Sequence, residues 1–371
     1  MTTNCNCNLK KLFILICSLI CFIESGFAQG TPASEWKALF NGKDLKEWDT
    51  FVAQAPGAVD KTSLGLNNDR HGVFSVSNGN LHISGQDWGG VATKQSYSNY
   101  HLRFQIKWGG KKWAPRENAL MDGGLLFHCS LPYDYGTKCW MRSMEFQIQE
   151  GDMADAHNVG AGLPIFQMSS AIAEGDSVQQ YDPFAPFVTT DKRVYRSGNF
   201  ESPTGEWTTG ELVARGADAV FIVNGFVVNR LYNLYRIDQH EQVTSGRIEF
   251  QSEGSEHYLR KIELRDINPS TSKPVLIANK RQLKVTVGDA TKLNITNTGA
   301  PVEIIAIELL GRNGDNIIIK KPAFPFILTK SNSLAMEASL KTMSQLGGGV
   351  KLKLETVNGP VSSFEINLDT K

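Results

Sequence analysis

Apolar and polar residues alternate over short runs along most of this chain, and Gly, Asn, Asp or Pro bounds nearly every run. In Met144–Gln149, for example, Phe146 and Ile148 are apolar while the residues beside them are polar. A period of two predicts a β-strand with one face in a core and the other face accessible. Runs with helical periodicity are scarce, so the pattern predicts an all-β protein.

Ten strands are predicted before residue 268. Asn78-Gly79 and Asn224-Gly225 predict tight hairpins, because these residues tolerate the positive φ that such turns need. The stretch from Met153 to Arg196 is irregular, and we expect functional loops there at the rim of a groove. The predicted strands cover residues 74–76, 81–83, 100–108, 124–129, 143–149, 208–214, 219–223, 226–231, 246–252 and 258–267.

The composition changes near residue 270. Residues 269–274 are Pro, Ser, Thr, Ser, Lys and Pro, which predicts a linker. From Val275 onward the chain has no Trp, Tyr or His, and seven short strands are predicted there. That spacing predicts a small immunoglobulin-like sandwich over residues 275–371, which we expect to be accessory because it lacks residues suited to chemistry.

The amino terminus has the pattern of a secretory signal. Lys10-Lys11 precedes the apolar run Leu12–Ile23, and Gly26-Phe27-Ala28 offers a small-residue cleavage site. The apolar run is shorter than the ~20 residues that a spanning helix needs. We therefore expect residues 1–28 to be removed, no membrane span to remain, and the protein to be exported to a periplasm or secreted.

The net charge limits the classes of binding partner, and the cysteine content bears on disulfide formation. Without residues 1–28 the chain keeps 36 basic and 37 acidic residues, a balance that gives no reason to expect nucleic acid as a partner. Only Cys129 and Cys139 remain after cleavage. In an exported protein this pair predicts a disulfide, and the alternative is two buried thiols.

Side chains suited to carbohydrate concentrate between Lys107 and Asp152. A strand face that carries Glu and Gln can donate to and accept from sugar hydroxyls. Alternation also predicts that His128 projects from the face opposite to Phe127. The candidate catalytic residues are Glu145, His128 and Glu150. The candidate binding residues are Arg116, Gln147, Gln149, Lys107, Lys111, Asp152 and, as a stacking platform, Trp113, with Glu253 and His157 as weaker candidates.

Several segments together resemble the 3-keto-disaccharide hydrolase family, which is common in secreted bacterial carbohydrate-degrading systems. They are Phe40–Leu45 with Trp48, Thr93-Lys94, Phe104–Trp108, Gly124–His128, Met144–Asp152 and Gly246–Gly254. The resemblance implies a 3-keto-glycoside substrate and a concanavalin-like jelly roll, which would occupy residues 29–268. The expected fold is thus an all-β jelly-roll sandwich followed by the smaller immunoglobulin-like sandwich.

One strand is also similar to the active-site strand of family 16 β-glucanases, which follows the pattern Glu-x-Asp-x-x-Glu. Here Gln147 stands at the position of the Asp, between Glu145 and Glu150. Retaining hydrolysis needs two carboxylates ~5–5.5 Å apart, so this departure favours a different chemistry.

The family resemblance suggests what that chemistry is. A ketone at C3 acidifies the proton on C2, so a base can remove it and the enediolate can expel the C1 substituent. This route needs a base, an acid and a stabiliser of the enediolate. The stabiliser candidates are Lys111, Arg116, or a divalent metal ion held by Glu145, His128 and Gln147. Hydrolysis of the 3-keto-glycoside without elimination stays open as a second route. A lectin-like carbohydrate-binding protein and an ordinary glycoside hydrolase related to family 16 β-glucanases remain alternatives.

Overall fold

The computed structural model describes residues 34–53, 64–134, 138–160, 164–172, 178–268, 273–311, 314–342, 349–361 and 364–369. The predicted signal segment and residues 269–272 of the predicted linker lie outside these ranges. Within them, no helix is long and apolar enough to cross a membrane. Across the described ranges, one 3₁₀ turn at Gly314–Asn316 accompanies 31 strands, so the all-β prediction is confirmed.

The strands up to residue 172 include three that carry side chains of the groove described below. They are β1 (Lys37–Ala38), β2 (Trp48–Val52), β3 (Gly65–Leu66), β4 (Phe74–Ser77), β5 (Asn80–Ile83), β6 (Gly89–Thr93), β7 (Tyr100–Lys112), β8 (Asp122–Ser130), β9 (Arg142–Gln149), β10 (Ala156–Val159) and β11 (Pro164–Ile172).

The next nine strands complete the amino-terminal part. They are β12 (Gln179–Tyr181), β13 (Phe187–Thr190), β14 (Val194–Tyr195), β15 (Thr208–Arg215), β16 (Asp218–Val223), β17 (Phe226–Arg236), β18 (Glu241–Gln242), β19 (Arg247–Ser252) and β20 (Ser255–Asp266).

The carboxy-terminal part has eleven short strands. They are β21 (Leu276–Ala278), β22 (Gln282–Lys284), β23 (Thr291–Asn297), β24 (Val302–Ile304), β25 (Ala306–Leu310), β26 (Ile317–Lys320), β27 (Phe326–Leu328), β28 (Ser333–Leu340), β29 (Val350–Thr356), β30 (Gly359–Pro360) and β31 (Ile366–Asp369).

Two sheets face each other in the amino-terminal part. The back sheet has the order β4-β5-β20-β7-β15-β16-β17, and the front sheet has the order β3-β2-β6-β19-β8-β9-β10-β14-β12. Phe104 on the back sheet packs edge-to-face against Phe146 at 5.8 Å and Phe250 at 5.5 Å on the front sheet. Such pairs add to the burial of apolar area, and they fill the space between the sheets.

The local predictions agree with this sandwich. All ten predicted strands before residue 268 are present, and both predicted hairpins form. Asn78 and Gly79 have φ of 50° and 76°, and Asn224 and Gly225 have 49° and 77°, as the two central residues of a tight hairpin require.

The back sheet does not end at β17. Phe226 on β17 pairs in parallel with Ile307 on β25, and the sheet continues through β29 and β31 to β22. The carboxy-terminal part also has a second sheet, in the order β21-β23-β28-β26, and an apolar core of its own. One hydrogen-bonded sheet therefore spans both parts of the chain.

A buried ion cluster lies at the junction of the two parts. The guanidinium of Arg230 on β17 donates to Glu308 at 3.0 Å and to Glu355 at 2.8 Å, and Tyr181 donates to Glu308 at 2.9 Å. Burial by itself would lower the pKa of Arg230, but the two carboxylates hold that pKa well above its ordinary value. All three charges are thus removed from water and depend on one another.

The predicted Cys129–Cys139 disulfide is not formed, and this prediction is wrong for the structure. Both residues are buried thiols in one apolar cluster. Cys129 lies in β8 where the strand pairing shifts between Phe127 and Ser130, and its thiol lies within hydrogen-bonding reach of Ser143. Burial raises the pKa of this thiol well above its ordinary value, which makes it unreactive in the folded protein.

Denatured protein tests the state of the two cysteines. After unfolding without reductant, we expect iodoacetamide to label both Cys129 and Cys139, because no bond between the sulfur atoms protects them. Peptide mass spectrometry gives the result, and reduced protein is the control. Recovery of the two peptides joined to each other, with neither labelled, would contradict the structure.

Candidate functional site

A groove crosses the front sheet, and the strand register places its side chains in rows. Side chains two residues apart on a strand share a face, and directly paired residues on neighbouring strands stand side by side. The first row is Ala92, Glu249, Leu126, Glu145 and His157. The second contains Gly90 beside Gln251 and Gly124 beside Gln147, and the third contains Asp122 beside Gln149.

Glycines in the second row make the groove deep. A Cβ atom at Gly124 would overlap the Oε1 atoms of Gln251 and Glu145, and a Cβ at Gly90 would overlap Oε1 of Glu249. The polar side chains therefore cross over positions that only glycine leaves open. The resulting cavity has a volume of about 600 Å³, which is within the ~300–1,000 Å³ typical of small-molecule sites.

Glu145 has the electrostatic environment of a proton donor. Its side chain is almost completely buried on the floor of the groove, and burial raises its pKa well above the ordinary value. The carboxylates of Glu253 and Asp122 raise it further, while Arg193 and Arg116 oppose them. Burial and neighbouring carboxylates both favour the protonated form of a carboxyl group, which is the form that a proton donor needs.

Arg116 joins the other two carboxylates of the groove. Its guanidinium contacts Asp122 through one nitrogen and Glu253 through another. Asp122 also accepts from the Gln149 amide at 2.8 Å. Burial is the main cause that raises the pKa of Glu253 to about 8, and the carboxylate of Asp122 adds to it. Arg116 thus holds two acidic side chains together in one wall.

His157 stands beside Glu145. Its Nδ1 atom lies 3.7 Å from Oε2 of Glu145 and has no hydrogen-bond partner. Burial lowers the pKa of His157, so the imidazole is neutral at pH 7 and can accept a proton. Neighbouring groups whose pKa values are displaced in opposite directions form a typical acid–base pair.

Arg193 closes the same side of the groove. It donates to the fully buried Asp155 at 2.7 Å, and Arg196 bonds both Asp155 and Asp152 at 3.0 and 2.9 Å. This network fixes the segment around β14 against the end of β9. The guanidinium of Arg193 therefore faces the groove from a rigid support.

Comparison with known proteins decides the family. The family model of the 3-keto-alpha-glucoside-1,2-lyase-like domain matches residues 35–265, well over half of the chain. The chain belongs to this family. The family resemblance inferred from the sequence motifs is thereby confirmed, and membership supports a carbohydrate-active function for the groove. No curated protein sequence is significantly similar to the chain.

Three solved structures are distantly similar to the chain. A Parabacteroides distasonis protein provisionally described as a glycosyl hydrolase is 16% identical over 67% of this chain and 99% of its own, with a TM-score of 0.38. A Bacillus subtilis protein of unknown function with a galectin-like fold is 10% identical over 64% and 97%, with a TM-score of 0.38. The glucanase SCLam of family GH16 is 13% identical over 64% and 97%, with a TM-score of 0.34. These likenesses are too weak to support an argument about function.

The structure brings together four of the residues predicted for the site of this family member. Glu145, Gln147 and Gln149 line the groove from β9, as the alternation in Met144–Gln149 predicts, and Arg116 reaches it from the loop after β7. These four were named from the polar face of one strand and from a basic residue in a nearby loop.

His128 does not belong to the groove, and its predicted catalytic role is wrong. It has φ of 53° at a bulge in β8, where the pairing shifts between Phe127 and Ser130. The bulge breaks the alternation, so the His128 ring lies inside the sandwich with Phe127 and Tyr100. Its Nε2 atom is 3.2 Å from the carbonyl of Gly216, and burial lowers its pKa to about 4.

Five further candidates lie outside the groove lining. Glu150 accepts from Thr204 at 2.7 Å in the turn after β9, and Lys107 extends over the Trp207 ring on the outer face of the back sheet. Lys111 is exposed at the end of β7, and Trp113 donates to the carbonyl of Ser84. Asp152 supports Arg193 and Arg196 rather than lining the cavity. These five residues are close to the groove residues in sequence, but the directions of the turns and strands point their side chains away from the groove.

The predicted metal ligands do not fit one ion. Glu145 and Gln147 share the groove floor, whereas His128 is enclosed between the sheets. In the part of the chain that the structure describes, no cluster of three or more His, Cys, Asp or Glu is arranged to hold a metal. No step of the chemistry below is therefore assigned to a metal.

Seven of the residues that line the groove were not predicted as contacts, among them Asp122, Gln251, Arg193 and Trp140, and two others were ranked too low. Asp122 and Gln251 are on strands that had been identified, but only the register shows that they face Glu145 and Gln149. Arg193 comes from the stretch predicted as rim loops, and Trp140 was interpreted from the sequence as a core residue. Glu253 and His157 were the weaker candidates, although a carboxylate at the end of β19 beside Gly254 was a usable signal.

Proposed function

We propose that the chain is an exported enzyme that cleaves 3-keto-glycosides by removal of the C2 proton, elimination of the C1 substituent and subsequent hydration. The observation that carries the proposal is the pair formed by buried Glu145 and neutral His157, with 3.7 Å between Oε2 and Nδ1. The family to which the chain belongs supports the choice of a 3-keto sugar.

The two side chains have complementary roles in this proposal. His157 accepts the C2 proton on its neutral, partly exposed imidazole ring, and Glu145 donates its proton to the glycosidic oxygen as the C1–O bond breaks. The electrons of the C2–H bond form the C1=C2 double bond. The products are an unsaturated 3-keto sugar and the free alcohol of the leaving group. Proton transfer from His157 to Glu145 restores both residues.

Other groups in the groove bind and orient the sugar. Negative charge on the C3 oxygen grows as the C2 proton leaves, and Arg116 and Arg193 are cations of the groove lining that can stabilise it. Gln147 and Gln251 offer amides to the ring hydroxyls, and the side-chain oxygen of Gln251 has no partner. These amides explain why a strand with Gln147 in place of a second carboxylate still suits a carbohydrate.

The proposal extends to the rest of the chain. We take the sandwich of residues 29–268 to be a concanavalin-like jelly roll and residues 275–371 to be an accessory immunoglobulin-like module. The facing sheets, the transverse groove and the separate apolar core of the carboxy-terminal part support this view. The signal pattern of residues 1–28 supports export to a periplasm or secretion.

Substrate pairs test the proposed reaction. We expect the purified protein to cleave a 3-keto disaccharide and to leave the unoxidised parent disaccharide intact, because only the ketone acidifies C2. In deuterated water, deuterium should appear at C2 of the released keto sugar above the level in an enzyme-free control. Binding without turnover would indicate a lectin-like protein, and cleavage of the parent would indicate ordinary glycoside hydrolysis.

A further inference from the structure

Three of the five residues in the first row of the groove floor are covered. Ala92, Leu126 and Glu249 face the same side of the front sheet as Glu145, yet they are only 0–1% exposed. The backbone nitrogen of Met141 donates to Oε2 of Glu249 at 3.2 Å, and Trp140 and Met141 pack in one apolar cluster with Ala92 and Leu126. The segment before β9 therefore lies across this part of the sheet.

Two tryptophans extend this cover across the groove. The Trp140 ring stacks on Trp88 with 5.2 Å between centroids and 18° between planes, and its Nε1 atom donates to the carbonyl of Gly89 at 2.8 Å. On the far side the Arg116 guanidinium lies 6.0 Å from the Trp88 ring. The stacked rings therefore extend from the covered part of the first row, past the start of β6, to Arg116. Arg116 in turn contacts Asp122 in the third row.

The two ends of the groove differ as a result. Trp140 lines the cavity and is only 6% exposed, so it forms a fixed end wall. Toward β10 the side chains of His157 and Arg193 keep exposures of 42% and 27%. Among the described residues, the end at β6 is closed by packed aromatic rings, and the end at β10 is accessible to solvent.

The proton donor is next to the closed end. Glu145 pairs directly with Leu126, the last covered residue of the first row. A sugar ring placed for chemistry at Glu145 therefore has Trp140 on one side. A second sugar attached on that side would occupy the space of the indole, and no rotation of a flexible side chain removes a ring that is stacked and hydrogen-bonded.

We propose that the Trp88–Trp140 stack determines specificity by restricting the substrate to glycosides in which the 3-keto unit is the terminal sugar. The leaving group extends toward β10 and Arg193. This inference rests on the proposed function, because it takes Glu145 as the group that protonates the leaving oxygen. Substrates with an oxidised unit inside a chain are excluded by the wall, not by the chemistry.

Two trisaccharides of the same composition test the proposal. One carries the ketone on its non-reducing terminal unit and the other on its middle unit. We expect kcat/KM of the full-length protein to be at least about 100-fold higher for the terminal ketone. Trp140→Ala should reduce this ratio by about tenfold or more, and Trp207→Ala, on the outer face of the back sheet, should preserve it.

Each outcome bears on the proposal. Equal kcat/KM for the two ketones in the unmodified protein would overturn it, and this comparison stands even if Trp140→Ala fails to fold. If neither trisaccharide is cleaved, the proposed reaction fails instead, and calorimetric binding of the same two compounds then decides the specificity. Tenfold tighter binding of the terminal ketone would support the wall, and equal binding would overturn it.

Discussion

Replacement of Glu145 by glutamine is expected to lower kcat by about 10²–10⁴-fold on a 3-keto disaccharide, with KM nearly unchanged. Glutamine keeps the shape of the side chain and its contact with the groove floor, but it has no proton to give to the leaving oxygen. Steady-state kinetics on the folded variant measures the loss. Because burial raises the pKa of Glu145, the activity of the unmodified enzyme should fall as pH rises through that pKa.

A matched control separates this effect from a general loss of carboxylates. Glu150 lies five residues further along the same strand and its turn, but it bonds Thr204 outside the groove. Glu150→Gln should therefore keep kcat within about twofold of the unmodified enzyme. Equal activity of the Glu145 and Glu150 variants would remove Glu145 from the mechanism.

Loss of the Arg230 guanidinium is expected to destabilise the protein by about 3–5 kcal/mol, because Glu308 and Glu355 would stay buried without a countercharge. Urea unfolding of Arg230→Ala measures the change. The control is Arg103→Ala, which breaks a partly exposed pair with Glu263 and should cost no more than about 1 kcal/mol.

A triple variant shows whether charge is the cause. In Arg230→Met with Glu308→Gln and Glu355→Gln, no buried charge is left unpaired, so most of the lost stability should return. If Arg230→Ala costs no more than Arg103→Ala, the two parts of the chain do not meet through a buried ion cluster in solution.

The strands were predictable because their signal is local. Alternation and turn residues depend on a few consecutive positions, and they located the ten amino-terminal strands and both Asn-Gly hairpins. Ser333–Leu340 was missed although its burial alternates, because Leu, Ala, Met and Glu are common in helices and hide a strand. The approximate positions of most amino-terminal strands thus follow from the sequence.

The groove was less predictable because its residues meet through pairing between distant strands. Glu145 and its two Gln neighbours share one strand, so alternation alone found them. Asp122 and Glu253 join Arg116 only through the register of β8 and β19, which no local pattern specifies. The bulge at His128 led to a false site prediction, because one extra residue in a strand turns a side chain from one face of the sheet to the other.

The continuous back sheet gives the carboxy-terminal part a further role. Without β25, Phe226 and Val227 of β17 would present unpaired backbone groups at a sheet edge. Exposed edges of this kind recruit other strands and lead to aggregation. By pairing Phe226 with Ile307 and burying Val227 against Ile305 and Ala306, the carboxy-terminal part acts as an edge cap. It protects the groove-bearing sandwich from self-association without contributing a residue to the groove.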